Sequence, residues 1–491
     1  MMRASAHPGA HRFALASIAF AIPFLTGLAF GRWLPRGPAT GTEALTVIVL
    51  ALLVGLASGT LAGRRWAILA APAAFAIGAE VARWGVIGPT VDRIHLASTY
   101  GVIAFVVGRG VQAALVLAPI ALGAAYGIAA ARARSAAAAG TLGWVTIGLA
   151  TLALAGVANA IGRPASTAPI LGADGAPLPG SVAELVTADL GGGRQTLMVR
   201  GRSVDAPVLL YLAGGPGGTD LGAMRADVGL EQHFVVVTWE QRGAGKSYGA
   251  LEPARTLTLE QMVADTLELT EVLLRRFDEE KLFLVGNSWG TLLGALAVRE
   301  RPELFHAFVG AGQMVSPRET DAMFYEDTLA WAEATGRDGL VATLRRNGSP
   351  PYGDLLAYEP ALAHEHDWNP YPWLDVGKEM PANLMVAENT LLDRVNGLRG
   401  FLDVFAVLYP QLQELDLRRD APRLEVPVLV VTGSYEARGR RDPARDWFEA
   451  LEAPVKTWVE FERSGHRPHF EEPAAFAGLM AALADDLVGS R

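Results

Sequence analysis

Lys281-Leu282-Phe283-Leu284-Val285-Gly286-Asn287-Ser288-Trp289-Gly290-Thr291-Leu292-Leu293-Gly294-Ala295-Leu296-Ala297 reads as a buried strand, a sharp turn and a helix. The turn is Gly-x-Ser-x-Gly, with Ser288 at its apex. Gly286 and Gly290 keep side chains out of the flanks of a turn this tight. The serine is then held in a strained backbone conformation with its hydroxyl above the sheet edge. The N–H of the next residue, Trp289, points to where an oxyanion would form. A chance match is the competing reading in a chain with 54 glycines, and the flanking strand and helix argue against it.

Outward from this turn, strands alternate with helices. Val182–Val186 and Gln195–Arg200, joined through Gly191-Gly192-Gly193, predict a hairpin. Pro207–Leu212, Phe234–Trp239, Leu282–Val285, His306–Gly310, Val428–Val431 and Lys456–Phe461 predict short buried strands. Amphipathic stretches such as Leu259–Phe277 and Thr291–Glu300 lie between them. The pattern implies a mostly parallel sheet with helices on both faces and an antiparallel hairpin at one edge. Residues 314–424 interrupt it with a helical, acidic, aromatic-rich segment, expected as a cap over the site. Most of its aromatics are expected to pack the cap's own core.

Residues 1–163 differ in kind. They are dominated by Ala, Leu, Ile, Val and Gly, and hold 12 Lys and Arg against 3 Asp and Glu; the remainder holds 30 against 48. A basic apolar part joined to an acidic globular part has no basic stripe to meet phosphates, which argues against nucleic acid as a partner. A bilayer needs about 20 apolar residues per helix. Phe13–Gly31, Ala44–Gly63, Trp66–Val81, Val111–Ala131 and Leu142–Ile161 are expected as about five spans, the third being short and ending near Glu80. Residues 83–110, with Asp92, Arg93, His95 and Arg109, stay open between a loop, an interfacial helix and part of a longer fourth span. A signal peptide competes for the first segment, yet further spans follow it.

Arg64-Arg65 and Arg132 with Arg134 favour a cytoplasmic side for their loops; Arg32, Arg36, Arg83 and Arg93 argue the other way. Five spans with a cytoplasmic N-terminus would place the large domain outside. Glu80 and Arg109 sit near segment ends, where they can snorkel, so an integral anchor or regulatory module is expected rather than a transport path. Residues 164–180, rich in Pro, Gly, Ala and Ser, read as a linker or entry loop to a domain over 181–491. There are no cysteines, so disulfides, thiolate zinc sites and iron–sulfur clusters are excluded.

Three more clusters bear on chemistry. Ala213-Gly214-Gly215-Pro216-Gly217-Gly218 follows the third predicted strand, where Gly214 or Gly215 would supply the second N–H of an oxyanion hole. A phosphate cradle or a plain turn is the alternative. Glu240-Gln241-Arg242-Gly243-Ala244-Gly245-Lys246-Ser247 ends like a nucleotide-binding P-loop, but Glu240 stands where that motif needs its first glycine. A turn in which Arg242 and Ser247 brace neighbouring loops is expected instead. Late in the chain, Glu436 follows one strand and His466 the next, giving the order Ser…Glu…His. His466 would take the proton from Ser288, and Glu436 would fix its tautomer. Asp442 is the alternative acid, although before Pro443 it reads as a helix N-cap. His469 is the competing histidine, expected to flank the last helix.

Together, Ala213–Gly217, Glu240–Ser247, Gly286–Gly290, Gly433–Glu436 and Gly465-His466 resemble the proline iminopeptidase branch of the α/β-hydrolase superfamily, from about Ser181 to the end. That branch carries His-Gly-Gly-Pro-Gly, Asp-Gln-Arg-Gly-x-Gly-x-Ser, Gly-Gly-Ser-Trp-Gly, Gly-x-Tyr-Asp and Gly-His. Here Ala213, Asn287 and Glu436 replace its histidine, glycine and aspartate. The resemblance implies a serine hydrolase with Ser288, His466 and Glu436 as its triad and the N–H groups of Gly214 and Trp289 as its oxyanion hole. It implies no metal and no organic cofactor. The implied substrate is a short peptide or amide cleaved after its first residue. The alternatives are an esterase or lipase-like hydrolase of lipophilic esters, and, from another class, a non-catalytic membrane receptor or transport-associated binding domain. The family holds the substrate's amino terminus with cap carboxylates, for which Glu319, Asp321, Glu326, Asp327 and Glu333 are candidates.

Overall fold

A computed structural model describes residues 8–134, 141–375 and 380–489. It divides into two compact units, Met1–Pro164 with Thr390–Leu392, and Ala165–Asn389 with Asp393–Arg491.

The first unit is helical: α1 (Pro8–Trp33), α2 (Gly41–Ala62), α3 (Ala67–Ala82), α4 (Thr99–Ala133, one helix containing two π-helical segments) and α5 (Thr141–Ile161). Four of these are long and apolar enough to cross a membrane, one fewer than the five expected; the third expected span, α3, is a shorter apolar helix of 16 residues. The mixed segment left open by composition is resolved in part, because α4 begins at Thr99 and takes in Arg109. Arg109 is accommodated by the Glu80 carboxylate at 3.1 Å and the backbone carbonyls of Val91 and Asp92 at 2.9 and 2.7 Å. Helix pairing uses small residues, which let two helix backbones approach closely. A Cβ on Gly55 would lie 2.0 Å from the Ile120 carbonyl, and one on Gly59 would lie 2.1 Å from that of Ala124. α2 and α4 therefore touch backbone to backbone.

The second unit is built on eight strands: β1 (Val182–Leu190), β2 (Gly193–Gly201), β3 (Val208–Leu212), β4 (Val235–Glu240), β5 (Leu282–Ser288), β6 (Phe305–Gln313), β7 (Val428–Gly433) and β8 (Lys456–Phe461). Their order is β1-β2-β4-β3-β5-β6-β7-β8. β1–β2 and β2–β4 pair antiparallel, and every later pair is parallel. β3 is buried along its whole length, as a strand covered on both faces must be. Leu209 and Tyr211 share a core with Phe283, Val285, Phe476 and Met480, the last two from the C-terminal helix Pro473–Val488. Helix α6 (Leu259–Phe277) starts at Thr258, whose hydroxyl accepts from the Gln261 N–H at 3.1 Å, a side-chain N-cap. Helix α7 (Trp289–Glu300) follows β5 without a break.

Residues 165–180 lie against this second unit. The buried Arg200 guanidinium, paired with Glu231, donates to Thr167 Oγ1 at 2.6 Å and to the Ala168 carbonyl at 2.7 Å. Between β6 and β7 the chain leaves the sheet through helices that include α8 (Pro317–Ala334) and α9 (Leu391–Leu408).

Candidate active site

Ser288 closes β5 with φ 52° and ψ −118°, a backbone conformation that a non-glycine residue adopts only when its surroundings enforce it. The enforcement is visible on both sides. A Cβ on Gly290 would stand 2.2 Å from the Leu212 carbonyl, and one on Gly286 would stand 2.4 Å from that of Gly290. Thr291 Oγ1 donates to the Ser288 carbonyl at 2.6 Å and accepts from the Met314 N–H at 2.9 Å, tying the turn to the end of β6.

His466 follows β8, and its Nδ1 is 2.7 Å from Glu436 Oε2. The other carboxylate oxygen, Oε1, accepts from the Ala437 N–H at 2.9 Å and from Arg440 Nε at 2.7 Å. Arg440 is itself buried and also pairs with Glu365. Burial alone would raise the Glu436 pKa. The Arg440 and His466 charges and their hydrogen bonds outweigh it and bring it down to about 2. Glu436 is thus a carboxylate at any working pH. His466 Nδ1–H must then donate to it, leaving Nε2 as the basic nitrogen. A carboxyl depressed in the folded state stabilises fully above its unfolded pKa, and that contribution is lost as pH falls through its folded one. Wild-type stability is therefore expected to decline between about pH 4.5 and 2, with a shallower slope in Glu436→Gln. Thermal melts across that window check this.

The alternative acid, Asp442, is half-exposed and takes its hydrogen bond from its neighbour Arg441. Its reading as an N-cap is corrected: helix α10 spans Arg438–Ala450, with Pro443 inside it. Pro443 has no N–H for the Gly439 carbonyl, and Thr320 Oγ1 donates to that carbonyl instead at 2.7 Å. His469 lies in the short helix Pro468–Glu471, buried against Tyr211, whose hydroxyl is 2.9 Å from Nε2. Burial, with the nearby Arg467 and His466 charges, pushes its pKa well below the usual histidine value, so it stays neutral.

Ser288, Gly214 and His466 line one cleft of about 220 Å³, together with Gly215, Asn287 and Phe401. A Cβ on Gly214 would sit 3.3 Å from that of Ser288. The Trp289 N–H opens α7 and has no acceptor within its helix. Two contacts here escaped the sequence. Gln241 Nε2 donates to the Ala213 carbonyl at 3.1 Å while its Oε1 accepts from the buried Trp289 Nε1 at 2.9 Å. One side chain thus joins the glycine-rich loop to the residue after Ser288. Asn287, where the resemblance has glycine, donates to the Ala311 carbonyl at 2.9 Å and to the His466 carbonyl at 3.3 Å. Gln241→Leu removes both bonds and is expected to lower kcat by up to about 10²-fold with KM nearly unchanged. Steady-state kinetics on any turned-over substrate measure this.

Arg242 and Ser247 brace loops: Arg242 pairs with Asp265 and donates to the Leu190 and Gly191 carbonyls, and Ser247 Oγ donates to the Glu240 carbonyl. Among the described residues lining the cleft, the carboxylate is Asp220, none of the five cap candidates. Asp220 accepts from Arg467 at 2.6 Å and from the Tyr211 hydroxyl at 2.8 Å. Glu319 pairs with Arg418, Glu326 and Asp327 with Arg438, and Glu333 with Arg345. Asp321 is buried in hydrogen bonds from Tyr409 and Gln413; burial raises its pKa to about 7 against them. Among the described residues no group of three or more His, Asp and Glu is arranged to hold a metal ion.

Several known proteins are similar to this chain. One is "Probable aminopeptidase YbaC" of Bacillus subtilis (strain 168), 30% identical over 312 residues, covering 61% of this chain and 96% of the relative. A "Probable proline iminopeptidase" of Leptolyngbya boryana is 28% identical over 123 residues, covering 25% of this chain and 36% of the relative. A solved proline iminopeptidase-related protein of Thermus thermophilus is 21% identical with a TM-score of 0.45, covering 62% of this chain and 99% of the other. The model of the Alpha/beta hydrolase family matches residues 209–479, more than half of the chain, from Leu209 within β3 through β8. The chain is a member of the α/β-hydrolase family.

Proposed function

We propose that this chain is a membrane-anchored serine hydrolase with Ser288 as nucleophile, His466 as general base and then acid, and Glu436 as the group that orients His466. The observation that carries the reading is the strained Ser288 at the strand-to-helix turn, lining one cleft with a histidine whose far nitrogen is held by a buried carboxylate. Ser288 Oγ attacks the substrate carbonyl carbon as its proton passes to His466 Nε2. The Gly214 and Trp289 N–H groups receive the oxyanion. His466 returns the proton to the leaving nitrogen, and a water molecule then releases the acyl group by the same steps in reverse.

The substrate is a short peptide or amide, cleaved by an aminopeptidase action of the proline iminopeptidase type. A relative matched over 312 residues of this chain, and over 96% of its own length, bears an aminopeptidase name and supports this. Helices between β6 and β7, residues 314–424, act as the cap: Phe401 of α9 lines the cleft. The long apolar helices anchor the protein as an integral membrane protein. With Arg64, Arg65 and Arg132 on the cytoplasmic side by the positive-inside rule, the hydrolase unit is extracytoplasmic. The test compares prolyl and alanyl arylamides with short acyl esters, using purified full-length protein. Turnover of the arylamides with a free amino terminus, lost on N-acetylation, is the expected result. Turnover of esters alone would replace the peptidase reading with that of an esterase.

A further inference from the structure

The first unit contains a groove of about 690 Å³ that the hydrolase reading does not use. Its wall includes Ile68 of α3, Leu122 and Ile128 of α4 and Ile147 of α5, with two arginines, Arg65 and Arg132. Helix directions follow from the close contacts. Gly55 meets Ile120 and Gly59 meets Ala124, so α2 and α4 run the same way. Arg65, just past the end of α2, and Arg132, in the last turn of α4, therefore share one end of the bundle.

The acidic residues lie at the other end. Residues 1–163 contain three, Glu43, Glu80 and Asp92. Glu43 is in the first turn of α2. Glu80 is in the last turn of α3, and α3 runs parallel to α1 because Gly27 meets Phe75 and Gly31 meets Ala79. The end of α1 leads within a few residues into the start of α2, which puts Glu80 beside that start. Asp92 follows α3, with its carbonyl bound by Arg109. There Arg83 and Arg109 have the Glu80 carboxylate. The other end holds Arg32, Arg36 and Arg93 as well, but with all three acidic residues beside them; the groove end, with Arg64, Arg65 and Arg132 and none of those acids, is the more positive end of this segment.

We propose that the groove is a binding site for an anionic phospholipid of the bilayer leaflet on that side, with an acyl chain between α4 and α5 and the phosphate against Arg65 and Arg132. An apolar groove ending in two guanidinium groups complements an acyl chain ending in a phosphate, and basic pockets between spanning helices hold acidic headgroups in this way. The guanidiniums reach the headgroup level from helix ends, as long cationic side chains do. The idea is independent of the catalytic reading.

The test uses the full chain in detergent, with retained lipid measured by native mass spectrometry against phosphatidylglycerol and phosphatidylcholine of matched acyl chains. At roughly one interfacial cation's attraction per arginine, wild type should prefer the anionic lipid by about thirtyfold. Arg65→Gln with Arg132→Gln should bring the preference close to parity, while Arg93→Gln, at the other end, should leave it unchanged. Equal retention of both lipids by wild type would overturn the proposal without recourse to a variant. So would an undiminished preference in a well-folded double variant, or inorganic phosphate binding as tightly as the phospholipid.

Discussion

Ser288→Ala should lower kcat on any substrate of this protein by about 10⁶-fold while leaving the fold intact. The substitution removes one oxygen at a residue whose carbonyl is already held by Thr291 and whose turn is set by Gly286 and Gly290. The backbone strain at Ser288 remains, so the effect belongs to chemistry. Thermal unfolding of the variant should match wild type within a degree or two, since a hydroxyl at the cleft contributes little to packing. Kinetics on the best arylamide, paired with that melt, separate the two effects. A variant that retained more than about one part in a hundred of wild-type kcat would remove Ser288 from the reaction.

The second large effect falls on the pair behind it. His466→Ala removes the proposed base and should cost nearly as much as Ser288→Ala, and the two together little more than either alone, because residues acting as one unit are not additive. Glu436→Gln tests orientation rather than proton transfer. The amide keeps the shape of the carboxylate but no longer requires Nδ1 to carry the proton, so the wrong nitrogen faces Ser288; the expected loss in kcat is about 10⁴-fold. The amide also leaves Arg440 facing Glu365 without its second carboxylate, which makes a control necessary. Asp442→Asn provides it: half-exposed and paired only with Arg441 among the contacts described, it should leave kcat within about twofold of wild type. A collapse of activity in Asp442→Asn with Glu436→Gln unaffected would reverse the assignment of the acid.

Much of this was legible in the chain. The apolar runs of β3 to β7 and the Gly-x-Ser-x-Gly turn are local signals, and the sheet follows from their alternation with helices; β8, expected as a buried strand, is instead a largely exposed edge strand. The relative placing of Ser288, Glu436 and His466 followed from order along the chain, because a parallel sheet delivers successive strand ends to one edge. What escaped depends on contacts between distant residues. Gln241 lies in a motif already singled out, yet only the folded chain brings its amide between Ala213 and Trp289. Glu436 and Arg440, four apart, were a readable pair, and reading it would have started α10 early enough to exclude Asp442 as its N-cap. Asp220 was hidden in the tail of a glycine-rich loop, and its partners Arg467 and Tyr211 come from other parts of the sequence. In the first unit, composition alone gave no means of knowing that Glu80 and two carbonyls would let Arg109 sit inside one long helix.

The most direct measurement is covalent labelling of the detergent-purified protein with a fluorophosphonate, followed by peptide mass analysis. A serine activated by His466 is phosphonylated far faster than an ordinary hydroxyl. The account predicts a single adduct on the peptide carrying Ser288, absent in Ser288→Ala and strongly reduced in His466→Ala. An unlabelled, well-folded wild-type protein, or an adduct on another residue that survives Ser288→Ala, would contradict it.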